Sequence, residues 1–74
     1  MRELKVGGPF HVKRASGFRT ETIKSLQETE GRKMPTKAYY EDGTTIQNGD
    51  KLVRIVLTNG MIHYLKAGTY KILN

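Results

Sequence analysis

The chain has no cysteine and no tryptophan, and only 2 of its 74 residues are proline. Without cysteine it has no disulfide framework and no thiolate metal site to reinforce a small fold. Its apolar stretches are short, and the longest, residues 52–57, is interrupted by Arg54. Because a transmembrane helix needs about 20 predominantly apolar residues, the sequence predicts a protein without a membrane span.

These absences also set the expected location and size class. The chain begins Met-Arg-Glu-Leu-Lys-Val, without the apolar run of a secretory signal. The lack of cysteine fits a reducing compartment, so we expect a cytoplasmic protein. A chain of 74 residues predicts one domain, residues 1–74, and domains of this size bury only about 60–65% of their unfolded surface.

Patterns for catalysis and metal binding are weak. The chain has two histidines, His11 and His63, and two serines, Ser16 and Ser25, and no motif assembles them into a nucleophile and base. Structural zinc needs four cysteine or histidine ligands, and only the two histidines are present. We therefore expect a non-enzymatic protein with no cofactor and no metal site.

What the sequence does contain is a series of turn signals separated by strand-forming residues. The signals are Gly7–Pro9, Asp42–Gly43, Asn48–Asp50, Asn59–Gly60 and Ala67–Gly68. Short runs rich in Ile, Val, Leu, Thr and Tyr between such turns are typical of antiparallel hairpins. Besides a central hairpin over residues 51–66, the pattern predicts strands at residues 2–6, 10–14, 37–40, 44–46 and 69–73.

The central hairpin turns at Asn59–Gly60. A two-residue turn predicts that Val56 pairs with His63 and Ile55 with Tyr64. Side chains alternate between the two faces of a strand, so this register sorts them. The predicted core face holds Val53, Ile55, Leu57, Ile62 and Tyr64. The predicted opposite face mixes apolar and basic residues: Leu52, Arg54, Val56, Thr58, Met61, His63 and Leu65.

Residues 20–30 fit a short helix. Thr20 suits an N-cap, Ile23 and Leu26 share a helical face, and Gly31 is a natural C-cap. The threonines of this segment fit a strand equally well. The predicted fold is therefore β-rich (α+β), a small antiparallel sheet of five to six strands curled into a barrel or roll, with one short helix near residues 20–30.

The last third of the chain alternates turn and strand three times, starting from Asn48–Asp50. This succession broadly resembles small SH3-like barrels. The resemblance is one of architecture, and it implies an SH3-like barrel or roll without implying any functional residue.

The net charge of +6 is unevenly distributed. Residues 1–40 hold nine Lys and Arg against four Glu, whereas residues 41–74 hold four against three acidic residues. Two basic segments stand out: residues 13–19, expected as a flexible loop with one aromatic residue, and residues 32–40, which contain two tyrosines. Basic loops supply the phosphate contacts that dominate nucleic-acid affinity, and aromatic rings stack on unpaired bases.

The first functional hypothesis is therefore a small basic module that binds nucleic acid, DNA or RNA, through residues 13–19 and 32–40. Because side chains alternate, at most one of two adjacent tyrosines points inward, which leaves the other free to stack on a base. The candidate contacts are Lys13, Arg14, Arg19, Arg32, Lys33, Lys37, Tyr39 and Tyr40.

The mixed face of the central hairpin suggests a different class. If a helix at Ile23 and Leu26 covers that face, it is ordinary core. If it is open, an apolar patch with an arginine is typical of protein interfaces. The second hypothesis is a small protein-binding adaptor or inhibitor of the phage or mobile-element type. It would act on an acidic surface of a host protein through a strand edge or through Arg54, Met61 and His63. A third is a subunit that is stable only as an oligomer, such as a homodimer.

Overall fold

The computed structural model describes residues 1–34 and 37–73. Within these ranges the chain forms six strands and one turn of 3₁₀ helix, Gly31–Lys33, which follows the third strand. The β-rich class is confirmed. The strands are β1 (Arg2–Leu4), β2 (Pro9–Arg14), β3 (Gly17–Glu30), β4 (Lys51–Leu57), β5 (Ile62–Lys66) and β6 (Tyr70–Ile72).

Four of the strands form one antiparallel sheet in the order β2-β3-β4-β5, and β1 and β6 form a separate parallel pair. The sheet curls into a half-barrel, so that its two edge strands approach each other. The rings of Phe10 on β2 and His63 on β5 have their centroids 5.4 Å apart. At the end of the same two strands, Arg14 Nη2 lies 3.6 Å from Met61 Sδ. We call the gap between β2 and β5 the seam.

Residues 20–30 are part of β3, so the predicted helix is wrong. The first half of β3 pairs with β2 and the second half with β4, and the register shifts between Ile23 and Ser25. Such a β-bulge adds one residue to a strand and bends it. It also lets Ile23 and Leu26, three residues apart, both pack on the core. The spacing that predicted one face of a helix is therefore produced by a bulged strand.

The hairpin of β4 and β5 is present, but the predicted register is wrong by one residue. Ile55 pairs with His63 and not with Tyr64. The turn takes up three residues, 58–60, and Gly60 has a φ of +90°. Hairpins with such a turn place a bulged glycine after the type I turn, which shifts the pairing relative to a two-residue turn.

A shift by one residue moves every side chain of β5 to the opposite face of the sheet. His63 and Leu65 therefore face the core, and Ile62 and Tyr64 face outward. The core lies inside the curl, and the β1–β6 pair adds Leu4 together with half-buried Tyr70 and Ile72. The buried members of the core are Leu4, Phe10, Val12, Ile23, Val53, Ile55, Leu57 and Leu65.

Irregular chain connects β3 to β4. The strands expected at residues 37–40 and 44–46 are reduced to one bridge, between Tyr39 and Thr45. Residues 35–36, which belong to the second basic segment, lie outside the described residues.

The end of this connection packs tightly against the end of β3. Gly31 N donates to Asp50 O at 2.8 Å. A Cβ placed on Gly31 would lie 1.8 Å from the backbone oxygen of Gln47. Only glycine fits such a close approach of two backbones, so Gly31 fixes where the connection returns to the sheet.

Replacing Gly31 by alanine tests this close approach. The added methyl group meets a backbone carbonyl, so Gly31→Ala should lower the free energy of unfolding by about 1–3 kcal/mol. Gly49→Ala is the matched control, because a Cβ on Gly49 meets nothing within 4 Å. Urea unfolding followed by circular dichroism measures both variants. Equal midpoints for the two variants would contradict the packing described.

Candidate nucleic-acid interface

The first basic segment, residues 13–19, forms the end of the β2–β3 hairpin and not a flexible loop. Lys13 pairs with Phe18, and Arg14 pairs with Gly17 across a two-residue turn. Gly17 has a φ of +121°, which favours glycine at this position. The pairing of β2 with β3 therefore fixes the backbone positions of the cations in this segment.

Alternation divides the side chains of this hairpin between two faces. Phe10 and Val12 are buried, as predicted, and His11 and Lys13 point away from the core. Phe18 shares the outward face of Lys13, because the two residues are paired across the ladder. Its side chain is 77% exposed. The hairpin thus presents a free aromatic ring directly beside a lysine.

Arg14 and Arg19 lie on the other face of the hairpin, at its outer end. Arg14 donates to Met61 Sδ, and Arg19 Nε lies 2.7 Å from Glu21 Oε1. The angles of the second contact fall outside those of a hydrogen bond, so it is an ion pair only. The Arg19 side chain is 65% exposed, whereas that of Glu21 is only 11% exposed. Arg19 therefore compensates a largely buried carboxylate, while most of its own side chain stays in solvent, where it can also contact a phosphate.

The outward face of the hairpin borders a cleft of about 620 Å³ at the seam. His11 is fixed on this border, because its Nδ1 lies 3.0 Å from Thr20 Oγ1, its partner across the ladder. Val12 and His63 also line the cleft. Most of its lining is charged or aromatic: Arg2, His11, Lys13, Phe18, Glu41 and Asp42.

Arg2 lines this cleft and makes three contacts that hold it there. Its guanidinium lies over the Phe10 ring, 4.3 Å from the centroid. It donates to the His11 carbonyl at 3.3 Å and to Glu41 Oε2 at 2.5 Å. Through these contacts Arg2 links β1 to β2 and to the turn at residues 41–43. The charge of Arg2 is largely compensated by Glu41.

The second basic segment begins at the other end of β3. Arg32 and Lys33 form the 3₁₀ turn after this strand, and Arg32 Nε donates to Glu30 Oε2 at 2.6 Å. Lys37 is exposed. Because Arg32 and Lys33 are separated from residues 13–19 by the length of β3, the structure does not bring these two groups of cations into one cluster.

Tyr39 and Tyr40 have different environments. Tyr39 is 53% exposed. Tyr40 is half-buried, and its hydroxyl donates to Asp50 Oδ2 at 2.9 Å. Burial of the phenol, together with this hydrogen bond and the charge of Asp50, raises the pKa of Tyr40 to about 12. Tyr40 is thus held by the connection between β3 and β4, which leaves Tyr39 as the tyrosine available for stacking.

The three residues predicted as a protein interface do not share one face. Arg54 is half-buried on the outer face, whereas His63 faces the core. Met61, the residue before β5, is 38% exposed. His63 Nε2 is buried and has no hydrogen-bond partner within residues 1–34 and 37–73. Because the register is shifted by one residue, the residues predicted to form one mixed face of the central hairpin lie on two different faces of the sheet.

Phe18 is the candidate that sequence reasoning left out when it assigned stacking to the tyrosines. The signal for it lies in the alternation of β2. With Phe10 and Val12 inward, Lys13 points outward, and a two-residue turn at Ala15–Ser16 pairs Phe18 with Lys13. Recognising residues 13–19 as a hairpin end would have placed the ring beside the lysine.

Comparison of the chain with protein-family models, with curated proteins and with solved structures finds no match. In the described ranges, no group of three or more His, Cys, Asp or Glu side chains is placed to hold a metal ion. None of the helical structure described there has the length and apolar composition needed to span a membrane. The function proposed below therefore depends on the geometry of the hairpin and its cleft.

Alkaline titration tests the contact between Tyr40 and Asp50. In the unfolded chain a tyrosine ionises near the model value of 10.0, and in the folded protein Tyr40 ionises near 12. The stability contributed by this pKa difference is complete below pH 10 and is lost as the pH rises through 12. Ultraviolet titration of Tyr40→Phe should lack the ionisation step near pH 12.

Tyr39→Phe is the control for this titration, and it should keep the step near pH 12. Tyr70, whose pKa is also raised by burial and by Glu28, is present in both variants and cancels in the comparison. A step near pH 12 that persists in Tyr40→Phe would mean that another phenol produces it.

Proposed function

We propose that this protein is a non-enzymatic nucleic-acid-binding module whose contact surface is the end of the β2–β3 hairpin. The observation that carries the proposal is the exposed Phe18 ring paired with Lys13. Arg14 and Arg19 lie at the same end of the hairpin. Cations bind phosphates, and an aromatic ring in solvent stacks on bases, so this combination matches what nucleic-acid surfaces use.

The distribution of charge supports the hairpin over the second basic segment. Arg32 donates to Glu30, and Lys33 lies beyond the end of β3 that is far from Phe18. In this proposal Lys33 and Lys37 serve as secondary phosphate contacts for a longer nucleic acid. The overall charge of +6 steers a polyanion toward the protein from any side.

The barrel architecture and the cellular location belong to the same proposal. We infer that the β1–β6 pair completes the half-barrel into an SH3-like barrel, with its open side at the seam. A cytoplasmic location fits a protein that meets DNA or RNA and has no cysteine.

Salt dependence of binding tests this function. The affinity of the wild-type protein for an oligonucleotide should fall steeply with salt, because each phosphate contact releases counterions. Replacing two cations in Lys13→Gln/Arg14→Gln should weaken binding at low salt. It should also flatten the log–log slope by about 0.7–0.9 for each phosphate that the variant no longer neutralises. Fluorescence anisotropy at several salt concentrations gives both quantities.

The control for this experiment is Lys5→Gln/Lys71→Gln, which removes the same charge outside the hairpin. It should leave the slope close to that of the wild-type protein. Equal effects of the two double variants would mean that only the total charge matters, and the hairpin would lose its role. Wild-type protein that binds neither DNA nor RNA at low salt would exclude the function.

A second candidate is a protein-binding adaptor or inhibitor of the phage type, acting on an acidic host surface. The specific observation in its favour is an outer sheet face that includes Ile62, 42% exposed, beside half-buried Val56. β5 is also an edge strand of the four-stranded sheet, and such edges pair with strands of other chains, including a second copy in a homodimer. Failure of the protein to bind any nucleic acid in the experiment above would favour this candidate.

A further inference from the structure

We propose that the cleft beside Phe18 holds the base of one unpaired nucleotide, so that the protein prefers single-stranded over double-stranded nucleic acid. This inference rests on the proposed function and names the form of nucleic acid that the same hairpin binds. Three features of the cleft carry it: the position of two rings, the arrangement of charge around them, and the size of the space.

The two rings are those of Phe18 and His11. Lys13 pairs with Phe18, and His11 precedes Lys13 by two residues on β2, so the two rings are diagonal neighbours on one face of the ladder. The backbone positions of such diagonal neighbours lie about 7–8 Å apart. Both rings also border the same cleft. A base that enters the cleft is therefore within reach of both rings.

The His11 ring is restricted in rotation, and the Phe18 ring is exposed to solvent; both properties favour stacking on a base. The contact of His11 Nδ1 with Thr20 Oγ1 limits rotation of the imidazole. The Phe18 ring is 77% exposed, so stacking on it removes apolar surface from water. Burial of apolar surface contributes favourably to binding without requiring a particular base.

Charge around the cleft fixes the direction in which a nucleotide enters. Lys13, which is paired with Phe18, brings a cation to the cleft, and Asp42 brings a carboxylate. Glu41 also lines the cleft, but Arg2 compensates its charge. Hydrogen bonds from the side chain and backbone of Thr44 lower the pKa of Asp42. A phosphate is therefore attracted to Lys13 and repelled by Asp42, which leaves the base to enter the cleft.

The cleft of about 620 Å³ lies within the range of roughly 300–1,000 Å³ that is typical of small-ligand pockets, and it has room for one base. A duplex cannot supply that base without unpairing and unstacking it, which costs a few kcal/mol. Phosphates of the single strand and of the duplex can both be contacted by Lys13, Arg14 and Arg19. The cleft adds to the binding energy only when the base is already unpaired.

The test compares a single strand and a duplex of equal length, about 12 nucleotides, by fluorescence anisotropy at one salt concentration. Phe18→Ala should weaken binding of the single strand by about 5- to 150-fold, the range expected for one stacked base. Its affinity for the duplex should stay unchanged. Because Phe18 is exposed, the variant keeps its fold, which circular dichroism checks.

Two further variants make the comparison specific. Phe18→Trp keeps a ring at the position and should retain single-strand binding. Val6→Ala removes an exposed apolar side chain that does not line this cleft and should have no effect. In a second readout, 2-aminopurine placed in the single strand should lose fluorescence on binding to the wild-type protein, because stacking quenches it, and should keep its fluorescence with Phe18→Ala.

The outcomes separate this inference from the function on which it rests. Salt-sensitive binding of both probes with no selective effect of Phe18→Ala would overturn the base-binding cleft and leave the nucleic-acid function standing. Tighter binding of the duplex than of the single strand by the wild-type protein would overturn it as well. Binding of neither probe would overturn the function itself.

Discussion

The β-bulge between Ile23 and Ser25 is the constraint on which the rest of the structure depends. A straight strand of 14 residues would span about 43 Å at roughly 3.3 Å per residue, whereas the longest principal extent of the chain is 31 Å. Because β3 bends at the bulge, its first half pairs with β2 and its second half with β4. The bend thereby brings the two sheet edges close enough for Phe10 to meet His63 across the core.

The candidate site follows from the same bend. In the curled sheet the inward side chains of β2 pack in the core. Its outward side chains, His11 and Lys13, lie beside the seam. The two-residue turn then returns the chain so that Phe18 stands beside Lys13. Arg2, held by Phe10 and by Glu41, also lines the space. A cleft lined by rings, cations and carboxylates is therefore a consequence of how the sheet closes.

Local patterns predicted much of this fold, and long-range pairing decided the rest. The alternation of Phe10 and Val12 and the turn signals predicted β1, β2, β4, β5 and β6, whereas the strands expected at residues 37–40 and 44–46 are reduced to one bridge. The spacing of Ile23 and Leu26 predicted a helix because a bulged strand and a helix can place residues three apart on one face, and only pairing with two neighbouring strands distinguishes them. Asn59–Gly60 predicted the turn but not its length, and one residue of difference moved His63 from the outer face to the core. Of the site, the basic residues were evident from charge alone, whereas the role of Phe18 required knowing that residues 13–19 form a hairpin end.

Chemical-shift mapping tests whether the β2–β3 hairpin and its cleft form the binding surface. Backbone amide spectra of isotope-labelled protein would be recorded during titration with a single-stranded oligonucleotide. The largest changes should fall on residues 13–20 and on the turn at residues 41–43, which borders the same cleft. Largest changes at Arg32, Lys33 and Lys37, or on the outer face around Ile62, with the hairpin unaffected, would contradict this prediction.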